Sequence, residues 1–411
     1  MKEHFSVREM KVGLHFGNET VPVGRLAIRD RTIYFEYLPS FMSKGIEISP
    51  RILPLKPGVF SFSYGLFEGL PGVFNDSLPD GWGRLLFDRL IRSKGISPNE
   101  ITPLDRLAHV GNWGMGALVY EPDYSASETE EAIDLDVLAE QTQQVLAGSA
   151  EEVLQELLAL NGSSAGARPK AMIGVDASRQ HISHGVSGLS DGYEHWLVKF
   201  PNTQDDTDAG AIEYVYALMA REAGIQVPPV HLFPANRGSG FFAVKRFDRE
   251  GQKRLHVHTA SGLLHADFRM PSLDYEDLIT LTGVLTRDVR EAEKMFRLAV
   301  FNVLAHNRDD HAKNFSFLMD ETGTWKLAPA YDLTFSSGPG GEQSTMVLGE
   351  GRNLRIEHLT KLGLEAKIPV TRIREMIAQT QMALSKWRLL AKEYGVLRPT
   401  IDLIEKKLAG N

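Results

Sequence analysis

The stretch HNRDDHAKNF, residues 306–315, places two adjacent carboxylates, two histidines, a lysine and an asparagine within ten positions. It follows directly on MFRLAVFNVLAH, an apolar run that reads as a buried segment. The residues after it, NFSFLMDETGTWKLAPAYDL, read as a hairpin turning at DETG. Asn314 precedes the first strand of that hairpin and Asp332 follows the second. Paired strands bring both ends to one place, where an asparagine oxygen and a carboxylate can share a magnesium ion, since hard cations take oxygen ligands. Asp309 lies five residues before Asn314.

Asp309 and Asn314 have the D-x-x-x-x-N spacing of protein kinases, in which the Asp serves the nucleophile and the Asn holds metal. Asp332, in YDL, stands where the kinase D-F-G motif has its Asp. Asp310 lacks the five-residue offset and is expected to matter less. The spacing alone also fits a solvated helix end, but further parts follow in kinase order. GSSAGARPK, residues 162–170, is a small-residue loop whose backbone N–H groups can cradle phosphates, or a flexible turn. Lys199 is a cation on the otherwise apolar strand HWLVKF, either a phosphate-pairing lysine or an edge lysine that snorkels to solvent. Glu213, near the start of the next helix, pairs with Lys199 or favours the helix N-terminus. AVKRFDR ends the last strand before the helical half, where a hinge holding adenine through backbone groups of Lys245 and Phe247 belongs. Each signal is weak, and the order of five is much stronger.

The elements that must position these groups are legible from periodicity. Residues 8–60 alternate apolar and polar positions between Gly, Asn and Asp-Arg turns, as strands do. In FNDSLPDGWGRLLFDRLIRSKG, the SLPDG segment is a turn or cap, and WGRLLFDRLI is a helix ending near Gly95. YEPDYSASETEEAIDLD, residues 120–136, is acidic and lacks a core pattern until Leu135, so it marks a boundary. EEVLQELLAL is a helix stopping at Asn161-Gly162, and GAIEYVYALMAREAG is another ending at Gly224. VHLFPANRGSGFFAVKRFDR reads as two strands around an Asn-Arg-Gly-Ser-Gly turn, and the chain is mostly helical from residue 274.

Composition sets the outer limits. The 411 residues carry 43% hydrophobic and 24% charged side chains, enough for a large core in two or three domains. A net charge of −8 argues against broad nonspecific nucleic-acid binding. With no cysteine, disulfides, thiolate metal sites and cysteine nucleophiles are excluded. The charged start lacks an apolar signal core and no run suffices for a membrane span, so a cytoplasmic protein is expected. HVHTASGLLH holds His256, His258 and His265 without an H-E-x-x-H motif, which favours alternating strand histidines or caps over zinc. Trp82 and Trp113 are expected to pack in the core.

DDHAKNFSF, APAYDL, SSAGARPKA and VKRFDR together resemble the HipA family of serine/threonine kinases, the toxins of bacterial type II toxin–antitoxin modules. FNDSLPDGWGRLL is similar to a segment of that family's N-terminal subdomain, and the resemblance covers roughly residues 10–390. It implies an α+β, two-lobed protein-kinase-like fold with an added N-terminal β-rich subdomain and a mainly helical C-terminal lobe. The implied division is an N-terminal subdomain at 1–122, a kinase N-lobe at 137–250 and a C-lobe at 251–411. Asp309 is the implied catalytic base, and Asn314 and Asp332 the implied Mg2+ ligands. ATP contacts are implied for Ala165, Gly166, Ala167, Arg168, Pro169, Lys170, Lys199, Lys245, Arg246, Phe247, His311, Lys313 and Tyr331, with Glu213 as ion-pair partner. Ser163, or Ser164 beside it, matches the autophosphorylated loop serine, whose modification would expel the loop and switch the enzyme off. Some family members have Gln-Glu in place of Arg168-Pro169. The resemblance further implies a helix-turn-helix antitoxin partner, a protein substrate of the aminoacyl-tRNA synthetase kind, DNA contact only through the antitoxin, and no membrane. The competing readings are a small-molecule or lipid kinase, and a non-catalytic co-repressor that serves as scaffold for a DNA-binding partner.

Overall fold

The computed structural model describes residues 6–125, 132–148, 154–161, 166–186 and 188–410. Its first sheet is antiparallel and five-stranded: β1 (Glu9–His15), β2 (Thr20–Arg29), β3 (Thr32–Tyr37), β4 (Val59–Phe62) and β5 (Leu118–Glu121), in the order β4-β3-β2-β1-β5. Alternation of buried and exposed positions turns Leu26, Ile33, Phe35 and Tyr37 to one face, where Phe41, Phe74 and Tyr120 pack on them. Gly17, at the β1–β2 turn, has φ +123°, and a Cβ there would lie 2.4 Å from the Gln252 carbonyl oxygen. Only glycine permits that approach of the first sheet to the middle of the chain.

The second sheet is β6 (Lys170–Asp176), β7 (Ile182–His184), β8 (Tyr193–Lys199), β9 (Val230–Phe233) and β10 (Phe241–Lys245), ordered β7-β6-β8-β10-β9. Helix Ala209–Glu222 connects β8 to β9 and lies against β9 and β10. Helices Leu135–Ala147 and Leu154–Asn161 cover the sheet with helix Gly81–Ser93, whose Trp82 and Leu86 join Trp196, Val198 and Phe200 in one core. Trp82 is therefore a core residue, and Trp113 is half-buried.

The chain then makes a short hairpin of β11 (Arg249–Glu250) and β12 (Lys253–Arg254), followed by β13 (His256–Thr259). β14 (Leu273–Asp274) precedes helices Tyr275–Thr286 and Val289–Leu304. The hairpin expected after the polar stretch is β15 (Ser316–Met319) and β16 (Trp325–Leu327), and β13 pairs with β15 to make three strands. Asp320 sets its turn by accepting the Thr322 and Thr324 amides, and β17 (Thr345–Met346) pairs with β14. Helices from Ile356 to Leu408 complete the lobe. His256 and His258 are buried on β13, and His265 ends helix Ala260–Leu264 in a left-handed conformation.

Two buried carboxylates tie these layers together. Asp248 receives Arg246 at 2.8 Å, Arg249 at 2.5 Å and the Gly116 amide at 2.8 Å. Arg249 also donates to the Gly114 carbonyl, and Arg254 to those of Asn112 and Gly116. Burial opposes ionisation of Asp248, but the two arginines beside it prevail and hold its pKa well below the carboxylate range. The second is Asp310. It accepts the Tyr275 hydroxyl at 2.5 Å, the Gln343 amide at 3.0 Å and the backbone amides of Ser344 (3.0 Å) and Thr345 (3.1 Å). Asp310 is 1% exposed while its neighbour Asp309 is open to solvent. Asp310 thus has a structural part of its own, because it fixes the loop backbone beside Asp309.

Replacing Asp248 by alanine strands buried arginines and is expected to cost about 3–5 kcal/mol. Arg388→Ala, which loses only exposed pairs with Asp402 and Glu405, should leave stability nearly unchanged. Urea midpoints measure both. Burial raises the Asp310 pKa from 3.8 to about 6 despite its hydrogen bonds. The native state then holds the extra proton between those values, so wild-type stability falls as pH rises through this window. Relative to Asp310→Asn, which cannot titrate, the wild type should lose roughly 2–3 kcal/mol from pH 4 to pH 7. A stability difference that is flat with pH would contradict this.

Candidate active site

β6 and β8 pair so that Lys170 stands opposite Lys199. The Lys199 ammonium contacts two carboxylates, Glu213 Oε1 and Asp332 Oδ1. Glu213 comes from the buried face of helix Ala209–Glu222, and Asp332 from the segment leaving β16. Burial disfavours the Lys199 charge, but Asp332 and Glu213 more than compensate and its pKa is raised. One ammonium shared by two carboxylates splits them. Desolvation opposes ionisation of half-exposed Asp332, but Lys199 and Lys170 outweigh it and drive its pKa below the usual range. Glu213 is raised by burial and by the Asp332 charge, with Lys199 opposing. Lys170, buried and facing Lys199, has its pKa pushed down to about 8, with burial the larger cause. Arg168 reaches Asp205 at 3.0 Å and Glu213 at 3.8 Å, and a cavity lined by Arg168, Lys199, Asp205, Glu213 and Phe242 opens beside them.

The hairpin closes as its sequence suggests. The Tyr331 hydroxyl donates to the Lys313 carbonyl at 2.5 Å and lies 2.6 Å from Ser316 Oγ. This links the segment before β15 to the segment after β16, with Asp332 next in the chain at φ +57°. Asn314 donates its amide nitrogen to the Asp309 carbonyl at 2.7 Å, so its side-chain oxygen remains for a cation. The Asp309 pKa is raised, chiefly by partial burial, with His311 opposing and Asp332 reinforcing. A raised pKa suits a proton acceptor that must also release the proton. His311 packs on Phe268, with ring centroids 5.4 Å apart, and its Nδ1 is buried with no partner among the described residues.

Among the described residues, no three His, Asp or Glu side chains could cage a metal by themselves. Asn314 and Asp332 offer two oxygens, the donor set that fits a Mg2+ ion sharing its remaining positions with phosphates and water.

At the end of β10, the Lys245 amide donates to Pro229 at 2.8 Å and the Arg246 amide to His195 at 2.9 Å. The Arg246 side chain is buried on Asp248, and Lys245 Nζ pairs with Glu194 at 2.6 Å, outside the cleft. The groups left to meet a ligand here are backbone carbonyls and Phe247, whose ring lies 5.4 Å from that of Tyr331. Gly166, Ala167, Arg168 and Pro169 lead into β6, while Ser163, Ser164 and Ala165 lie outside the described residues.

Sequence reasoning missed Asp80. An Asp in SLPDG before a helix reads as an N-cap, and Asp80 does precede helix Gly81–Ser93. Its carboxylate makes no bond to that helix, however. Instead it accepts the Gly166 amide and, at 2.5 Å, the Lys313 ammonium. No local signal distinguishes the two uses.

The model of the HipA-like C-terminal domain matches residues 162–387, and that of the HipA N-terminal domain matches residues 17–121. Two curated relatives from Sinorhizobium fredii (strain NBRC 101917 / NGR234) bear the names putative kinase Y4dM and putative kinase Y4mE. The chain is 29% identical to Y4dM over 181 residues, 40% of this chain but only 43% of that protein's length. It is 28% identical to Y4mE over 363 residues, 80% of this chain and 73% of that protein. Its fold is similar to that of HipA from Shewanella oneidensis MR-1, solved in a complex with HipB and operator DNA. The TM-score is 0.69 at 18% identity, covering 97% of this chain and 95% of that one. The fold is accordingly a two-lobed, protein-kinase-like α+β architecture with an N-terminal β-rich subdomain. With both parts matched, and the C-terminal match alone spanning more than half of the residues, this chain belongs to the HipA family.

Proposed function

We propose that this chain is an ATP-dependent serine/threonine protein kinase and the toxin of a type II toxin–antitoxin module. The observation that carries the reading is the Lys199 ammonium shared by Glu213 and Asp332, at the closed base of the hairpin that the segment with Asp309 and Asn314 enters. Lys199 pairs with ATP phosphates while Glu213 steadies it. In the loop Ala165–Lys170, N–H groups other than that of Gly166, which Asp80 takes, serve phosphate oxygens, together with His311 and Lys313. Backbone groups of Lys245, Arg246 and Phe247 hold adenine, which stacks against Phe247 and Tyr331. Asn314 and Asp332 hold Mg2+, which offsets negative charge on the phosphates. Asp309 accepts the proton as the acceptor hydroxyl attacks the γ-phosphorus and ADP leaves. The division into 1–122, 137–250 and 251–411 belongs to the same reading.

A helix-turn-helix antitoxin is the proposed partner. Support comes from the family and from the Shewanella HipA, which was solved with HipB and operator DNA. With a net charge of −8, this chain reaches DNA through that partner. A protein acceptor of the aminoacyl-tRNA synthetase kind rests on family resemblance, and cytoplasmic location on the sequence. Among the described residues no helix is long and apolar enough to cross a membrane.

Asp309→Asn preserves shape but cannot accept the proton. It should lower autokinase turnover by at least about 100-fold while leaving ATP affinity within about threefold. Turnover within threefold of wild type would remove Asp309 from its role. Transfer of labelled phosphate to small acceptors alone would favour a metabolite or lipid kinase. Lack of any ATP turnover by the wild type would favour a non-catalytic scaffold.

Phosphorylation of Ser163, or of Ser164, adds roughly −1.5 to −2 charges in the loop that must face the ATP phosphates. The modified loop swings outward, which switches the enzyme off. Mass spectrometry after incubation with ATP should find the phosphate. The modified fraction should bind ATP at least about tenfold more weakly than Asp309→Asn protein. Equal binding by the two would rule out the switch.

A further inference from the structure

We infer that Asp80, from the N-terminal subdomain, is a positioning residue for the phosphate-binding loop. Its carboxylate clasps Gly166 and Lys313 together, so that the subdomain sets the affinity for ATP. The inference rests on the kinase reading. Both flanks of the loop bear on the turn Pro79–Gly83. On the far side, the Gly166 amide donates to Asp80 Oδ1, and the Trp82 amide donates to the Gly166 carbonyl at 3.0 Å. On the near side, Asn161 is fully buried, and a Cβ on Gly83 would lie 2.3 Å from its Nδ2. Gly81, at φ +44°, would place a Cβ 2.5 Å from the Gly166 carbonyl oxygen. This spacing leaves room for glycine only. Asn161 and Gly166, the described residues on either side, thus both rest on one short stretch of another subdomain.

The clasp also reaches the catalytic side of the cleft. Asp80 Oδ2 lies 2.5 Å from Lys313 Nζ, and the two side chains are 17% and 7% exposed. The ammonium stands 4.6 Å above the Phe268 ring centre. Burial alone would raise the Asp80 pKa, but Lys313, the Gly166 amide and Lys170 outweigh it and hold the group ionised. Because Lys313 neutralises it at contact distance, the carboxylate can stand beside a phosphate site without repelling the ligand strongly. Gly166 itself lies over Lys170, since a Cβ there would be 2.4 Å from Lys170 Nζ. A loop released from Asp80 thus loses its register over the lysine it covers.

The test compares wild type, Asp80→Ala and Asp80→Asn as full-length protein. Hydrogen exchange of the peptide spanning the loop is measured together with calorimetric ATP titration and autokinase kinetics. The asparagine variant keeps shape and an acceptor for the Gly166 amide, so it remains informative if the alanine variant folds poorly. Asp80→Ala should exchange the loop amides faster, with β8 unchanged, and should weaken ATP binding about tenfold, the worth of one hydrogen bond to a charged group. Turnover at saturating ATP should stay within about threefold, and Asp80→Asn should fall between wild type and alanine. Unchanged loop exchange and ATP affinity in both variants would overturn the inference. So would tighter ATP binding, which would make Asp80 a competitor of the phosphates. If the wild type binds no ATP, the kinase reading fails, and the exchange data still decide whether Asp80 holds the loop.

Discussion

An ammonium as deep as that of Lys199 is too costly to bury alone, and its need for partners constrains the rest of the cleft. The two carboxylates that satisfy it come from places with no local connection, 14 and 133 residues along the chain. Glu213 can reach it only if helix Ala209–Glu222 lies on the second sheet, and Asp332 only if the β15–β16 hairpin closes in front of that sheet. The cluster thus couples the sheet to the helical lobe. Two carboxylates on one ammonium leave excess negative charge, which Arg168 and Lys170 relieve in part. Asp332 retains 37% of its side-chain exposure, so this excess faces the cleft, where a cation is welcome.

The elements were legible because their signals are local. Strand alternation, helix periods and the DETG turn each lie within a dozen residues, and the hairpin joins the segment before β15 to the one after β16. The groups that hold the site in position were not legible. Asp80 and Lys313 are 233 residues apart, and Asp248 meets Gly116 across 132. Asp310 was read as the lesser twin of Asp309, since neighbouring carboxylates look alike in a sequence. What separates them is that Asp310 turns inward to Tyr275, Ser344 and Thr345, partners that only the folded lobe assembles. Local code proposes chemistry, and long-range burial decides which charged groups are free to perform it.

Ser49, His258 and Asp76 make the same point from the other side. Ser49 Oγ lies 3.0 Å from His258 Nε2, and His258 Nδ1 lies 2.6 Å from Asp76 Oδ2. In order and distance this is a nucleophile–base–orienter relay. Yet the serine and histidine are wholly buried and the Asp76 side chain is 4% exposed. Asp76 also takes the Thr259 amide and hydroxyl, so its acceptors are committed to holding β13 against the first subdomain. With no route for a substrate, the relay is a structural tie. Asp309 differs in access more than in chemistry.

The segment VKRFDR shows how one stretch serves both the cleft and the frame. β10 ends at Lys245 and the chain turns at 247–248, where Arg246 Nε meets Asp248 Oδ1 at 3.0 Å. Phe247 faces Tyr331 in the cleft, while Arg246 and Asp248 enter the buried network with Gly116. The hinge is therefore positioned by a carboxylate that the N-terminal subdomain also grips. The same subdomain grips Gly166, ahead of β6, through Asp80. Held at hinge and loop alike, the cleft has the first subdomain as a third wall. A strain applied to that subdomain would bear on both segments, since both carboxylates bridge the parts directly.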